Sequence, residues 1–291
     1  MGKIIRIPYK GGELLSPKMD LVFKAILTAD GDLELLASLL SSILDMDIKP
    51  EDISVANTEL TGTHKKDKRS SIDVRVKLAD GKHINIEIQV DENKNFAARS
   101  IYYVSKLYAG QLGSSMDYSV ICPTIAINIL DYNCLPFEEY HNRYRLKNVR
   151  NNHELTDIFE VNLIELDKIP KVPGNMKELW MSFFAAETEE ELEMLAKESP
   201  VIEKAVNKLV YFSADEQLRY DLDMREKWEL DNATREAEYK RIEKRLEAKE
   251  KDVEAKEKEL EEREKALEER EKELARKSSY FLHEETVEYK A

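Results

Sequence analysis

The stretch "SSIDVRVKLADGKHINIEIQVDENK" (residues 70–94) decides the fold, because it reads as two β-strands joined by a tight turn around Asp80-Gly81. Val74, Val76 and Leu78 lie on one face of the first strand; Ile84, Ile86, Ile88 and Val90 lie on one face of the second. Directly opposed residues share a face, so even-numbered positions pair with even ones and the connection holds an odd number of residues. A three-residue loop, Ala79-Asp80-Gly81 with Gly81 in the left-handed region, meets this condition. It pairs Val76 with Ile84 and Val74 with Ile86, sets Asp73 directly opposite Glu87, and turns Gln89 the same way. Facing side chains of this kind have Cβ atoms about 5 Å apart. Two carboxylates at that spacing suit a hard divalent cation such as Mg²⁺, with the backbone carbonyl of Ile88 as a third ligand. Gln89 is placed to orient a water or a phosphate through its amide. The same polar residues also suit the wet face of a half-buried hairpin, and the local pattern leaves both readings open.

Working outward, "SPKMDLVFKAIL" predicts a first helix with Ser16 as N-cap and Pro17 at its first position. "DLELLASLLSSIL" predicts a second, capped by Asp32. "ISVANTEL" (53–60) reads as a short strand. In "HKKDKR" (64–69) the cations Lys65, Lys66, Lys68 and Arg69 make a basic loop suited to phosphate. "NFAARSIYYVSKLYAGQL" (95–112) is a helix with an apolar stripe of Phe96, Ile101, Val104, Tyr108 and Leu112. Its Arg99, Tyr103 and Lys106 fall on another side, where they are candidates to line the site. "YSVICPTIAINIL" (118–130) is a strand buried on both faces, with Pro123 marking its start, and "DIFEVNLIEL" (157–166) is a further strand. "KIPKVPG" (168–174) is the candidate domain boundary, followed by helical sequence over 175–228.

Taken in order, "DLVFKAIL", "IDVRVKLADGKHINIEIQV", "RSIYYVSKLYAGQL", "YSVICPTIAINIL" and "YHNRYRLKN…LTDIFEVNLIEL" resemble the PD-(D/E)XK nuclease family transposases, also called recombination-promoting nucleases (Rpn). The resemblance runs from residue 15 to about residue 170. It implies an α/β, restriction-endonuclease-like mixed sheet flanked by helices. It further implies Mg²⁺-dependent DNA cleavage, with Mn²⁺ able to substitute, in a bacterial setting tied to recombination or mobile elements. Asp73, Glu87 and Gln89 match the family's metal-binding acid and its E-x-Q pair, and Gln89 stands where the superfamily usually has lysine. Lys24 and Lys106 are candidates to supply the displaced positive charge. Asp20 is either an additional acid near the metal or a helix partner of Lys24.

The charge is uneven: of a net −14, residues 1–170 carry −4 and residues 171–291 carry −10, so the balance does not argue against an anionic partner such as DNA for the front part. The two cysteines, Cys122 and Cys134, have no metal-ligand spacing. No secretion signal, myristoylation site or membrane helix is expected, which makes a cytoplasmic protein the expectation. From 233 to 277 the chain is nearly all Glu, Lys, Arg, Ala and Leu, with Leu246, Val253, Leu260, Leu267 and Leu274 every seven residues. That segment reads as a long charged helix of roughly 65 Å or a weak coiled coil, and as a place for homo-oligomerisation. The expected organisation is a nuclease-like domain over 1–170, a helical extension over 171–232, the long helix over 233–277 and a flexible tail over 278–291. The rival to an endonuclease is a nuclease fold without turnover that binds partners through its long helix.

Overall fold

The computed structural model describes residues 5–56, 74–92 and 94–288. Two short strands open the chain, β1 (Arg6–Tyr9) and β2 (Gly12–Leu15). They form an antiparallel hairpin whose turn residues Lys10 and Gly11 both have positive φ, 44° and 78°. Such primed turns match the right-handed twist of paired strands. Helices α1 (Asp20–Thr28) and α2 (Glu34–Leu44) follow. Helix α1 begins later than Ser16-Pro17 predicts, with Met19 at the N-cap, and Ser16 Oγ accepts a bond from the Lys18 amide instead. Helix α2 likewise has Leu33 rather than Asp32 at its N-cap, and the Asp32 side chain accepts from the Glu34 amide at 3.3 Å.

The central sheet has six strands in the order β3-β4-β5-β6-β8-β7. These are β3 (Ile53–Val55), β4 (Val74–Leu78), β5 (His83–Gln89), β6 (Thr124–Leu130), β7 (His141–Lys147) and β8 (Glu154–Glu165). Strands β5, β6 and β8 run parallel and the remaining pairs are antiparallel, so the sheet is mixed. The β4–β5 register is the one parity demands: Val76 faces Ile84 and Val74 faces Ile86. The Leu78 amide bonds the Lys82 carbonyl across Ala79-Asp80-Gly81, and Gly81 has φ +91°. Because β5 and β6 are parallel, the chain crosses over between them, and helix α3 (Phe96–Ala109) makes that crossing.

The two faces of the sheet are covered differently. Ile84, Ile86 and Ile88 of β5 and Ile125, Ile127 and Ile129 of β6 join one core with Val22, Phe23, Ile26 and the leucines of α2. On the other face α3 lays Phe96 and Val104 against Ala126, Leu130, Tyr132, Val161 and Leu163. The apolar stripe expected on α3 holds only in part. Ile101 is half exposed, and Ser100 is buried in its place, accepting from Asn128 Nδ2 at 3.0 Å.

Helices α4 (Met176–Ala185), α5 (Glu189–Glu198) and α6 (Pro200–Ser213) belong to the first core as well. Trp180, Met181, Phe183 and Phe184 are fully buried, with Phe184 lying 5.2 Å from the ring of Phe23. A boundary at 168–174 therefore does not match the packing. The leucine-rich faces of α1 and α2 need a cover, these helices supply it, and the compact unit runs on to Glu229. Helix α7 (Glu216–Glu288) begins inside that unit, and Leu230 onward forms a second unit. Its 73 residues contain neither glycine nor proline, so nothing breaks it at 232 or at 277, and the expected flexible tail is helical to Glu288.

Candidate active site

Strand β5 is buried along both faces, which sets it apart from the wet hairpin strand that the local pattern also allowed. Its odd-numbered side chains meet α3, so Glu87 ends up 4% exposed. Oε1 of Glu87 accepts from Arg99 Nη2 and from Gln89 Nε2, each at 2.6 Å. The Gln89 amide is held in turn by the Tyr132 hydroxyl, which donates to its Oε1 at 3.2 Å. Arg99 lies 5.7 Å from the ring of Tyr103 one turn along α3, a cation–π contact that steadies the guanidinium. Its Nε is buried without a hydrogen-bond partner among the described residues. A buried, unfilled donor costs about 1–3 kcal/mol, so it marks a place with unused binding capacity.

The cluster sits at the carboxyl ends of β5 and β6, joined there by the Asp131 amide donating to the Gln89 carbonyl at 2.9 Å. Open α/β sheets present ligands at this end of their parallel strands. Carbonyls of successive strand residues point to opposite sides, so with Gln89 turned toward β6 the Ile88 carbonyl faces the β4 side.

The sequence-predicted residues divide into three groups. Glu87, Gln89, Arg99 and Tyr103 are brought together. Asp73 and the basic loop of Lys65, Lys66, Lys68 and Arg69 lie outside the described residues. The remaining three are placed elsewhere. Lys106 is exposed one turn beyond Tyr103. Asp20 forms an ion pair with Arg225 of α7, a partner that neither reading named. It and Lys24 belong to α1, which packs on the sheet face opposite Glu87. Two residues that no sequence pattern selects make contacts here. One is Tyr132, just past β6, which holds Gln89. The other is Lys18, 5% exposed, which pairs with Asp131 at 2.8 Å past the end of β6 and with Glu187 at 3.1 Å. No local pattern flags either one, because each acts through a contact distant in sequence.

Two other buried acids show what a purely structural carboxylate looks like here. Glu160 is gripped by Arg143, Arg145 and Asn162; burial pushes its carboxyl up, yet those donors hold it below the usual range. Glu165, also buried, accepts from the Cys134 and Leu135 amides and from Lys168 Nζ at 2.7 Å. Burial and that carboxylate push the Cys134 thiol up to about 11. Both acids are enclosed by several donors, whereas Glu87 borders an arginine whose Nε has no partner among the described residues.

The profile of the PD-(D/E)XK nuclease family transposases matches residues 17–238. The chain belongs to that family. No match was found among curated proteins or among solved structures. Membership of the PD-(D/E)XK nuclease family transposases accounts for the mixed sheet flanked by helices, and the match extends past 170 because α4–α6 complete the core. Among the described residues no helix is long and apolar enough to cross a membrane. Members of this family typically use divalent metal, and a buried carboxylate is the right kind of donor for a hard cation. Among the described residues no three His, Cys, Asp or Glu side chains cluster to hold one.

Proposed function

We propose that the protein is a metal-dependent DNA endonuclease that hydrolyses phosphodiester bonds in the setting of recombination or mobile elements. The observation that carries this reading is the convergence of Gln89 and Arg99 on Glu87, with Tyr132 holding Gln89, at the carboxyl ends of two parallel strands. In this reading Asp73, which immediately precedes Val74 and its partner Ile86, supplies the second carboxylate, and the Ile88 carbonyl the third ligand. Mg²⁺ is the expected ion, with Mn²⁺ able to replace it. A divalent cation held there supplies a polarised phosphate and a water of lowered pKa.

The chain's own groups do the rest. Tyr132 fixes the Gln89 amide so that its Nε2 points toward Glu87, leaving a second N–H to orient a water or a phosphate oxygen. Arg99 pairs with Glu87, and with a cation held at that carboxylate its guanidinium would be available to a phosphate of the DNA backbone. Its Nε, without a partner among the described residues, gives it a donor for this purpose. Lys65, Lys66, Lys68, Arg69 and Lys106 are assigned to outer phosphate contacts, which are sensitive to salt.

The test is nicking of supercoiled plasmid. Cutting with Mg²⁺ is expected, with EDTA abolishing it and Asp73→Ala or Glu87→Ala each lowering it by at least about 100-fold. Equal cutting by both variants and the parent would remove the assignment. One observation favours the rival, a nuclease fold without turnover: Arg99 satisfies Glu87 without any metal. That reading predicts Mn²⁺ binding, detected by paramagnetic resonance, with no nicked product.

A further inference from the structure

From Leu246 to Leu274, α7 carries one apolar residue every seven positions, and each of the five is between 53% and 60% exposed. A straight α-helix drifts about 20° per heptad away from such a spacing, so over four heptads the stripe would wander by about 80°. Only a helix wound around another keeps it in line. An isolated charged helix needs no apolar row at all. Acid-to-base pairs four residues apart, Asp252–Lys256 at 2.8 Å and Glu268–Lys272 at 3.9 Å, already support it.

The charges beside the stripe name the occupant. One row, three residues past Leu246, Val253, Leu260 and Leu267, is Lys249, Lys256, Arg263 and Arg270. The next row is wholly acidic: Glu250, Glu257, Glu264 and Glu271. We infer that α7 pairs with α7 of a second copy of this chain, as a parallel, in-register two-stranded coiled coil. In that alignment leucine stacks on leucine, and each cation lies beside the acid of the second copy one residue further along. An antiparallel alignment sets every leucine against a charge and leaves no apolar layer. Facing cations between the leucine layers keep the pairing weak and reversible.

The experiment is sedimentation equilibrium on the full chain, run over a concentration series. A monomer–dimer equilibrium is expected, and Val253→Asp/Leu260→Asp should raise its dissociation constant by at least about 100-fold while helicity is retained. For orientation, Leu246→Cys is placed in a Cys122→Ser/Cys134→Ser background and oxidised. A disulfide between two copies of residue 246 supports parallel pairing. A monomer at every concentration, or a dimer indifferent to the double substitution, overturns the proposal. So does a dimer that cross-links only when the Leu246→Cys chain is mixed with a Leu274→Cys chain. None of these readouts depends on DNA cleavage.

Discussion

At residue 87 one carboxylate oxygen receives two donors, and this arrangement separates structural from chemical consequences of mutation. Glu87→Gln leaves Arg99 without its anion, which should cost about 1–3 kcal/mol in denaturant unfolding and at least about 100-fold in Mg²⁺-dependent nicking. Tyr132→Phe is the subtler change. It removes the hydroxyl that donates to the Gln89 carbonyl oxygen, so about 0.5–1.5 kcal/mol of stability is expected to go. If Gln89 positions a reactant, cutting at saturating DNA falls by more than that loss explains, while DNA binding measured by anisotropy stays unchanged. The placement of Glu87 and Gln89 together was legible from strand parity alone. Tyr132 and Lys18 were not, because their partners, Gln89 and Asp131, lie 43 and 113 residues away.

Among the elements, the β7–β8 pair carries a pH dependence. Burial holds His141 below its ordinary value, near 6.5, so it is neutral in the fold while the unfolded chain takes up a proton first. Its contribution is complete above about pH 6.5 and declines as pH falls below that. Glu160 is likewise held down, so its contribution is present above the ordinary carboxylate value of about 4.3 and is lost on further acidification. The melting temperature should therefore drop in two stages, and His141→Gln should remove the upper one. At the other end of the sheet, a Cβ added at Gly81 would come within 2.5 Å of Cys122 Sγ at a φ of +91°. Gly81→Ala should lower the denaturant midpoint by about 1–3 kcal/mol equivalent without changing the slope. That turn could be read from the sequence, because alternation fixes parity and parity fixes loop length. Strand β7, "HNRYRLK", could not. It is an edge strand paired on one side only, and its alternation brings only two apolar side chains, Tyr144 and Leu146, both of which stay exposed.

For the whole molecule, "KIPKVPG" misleads because prolines and a glycine mark a turn as readily as a domain boundary. What decides is which apolar faces find each other, and that information lies in the helical sequence after the turn. A chain ending at Glu229 should melt cooperatively, whereas one ending at 170 loses the Trp180–Phe184 wall and should show no cooperative transition by calorimetry. The uninterrupted α7 also governs how unfolding is watched. It holds 73 of 291 residues, so the ellipticity at 222 nm is weighted toward a helix that frays gradually on heating. The buried indole of Trp180, shielded from water in the native state, reports instead on the body that carries Glu87, and its emission in a Trp228→Phe background is the signal to follow.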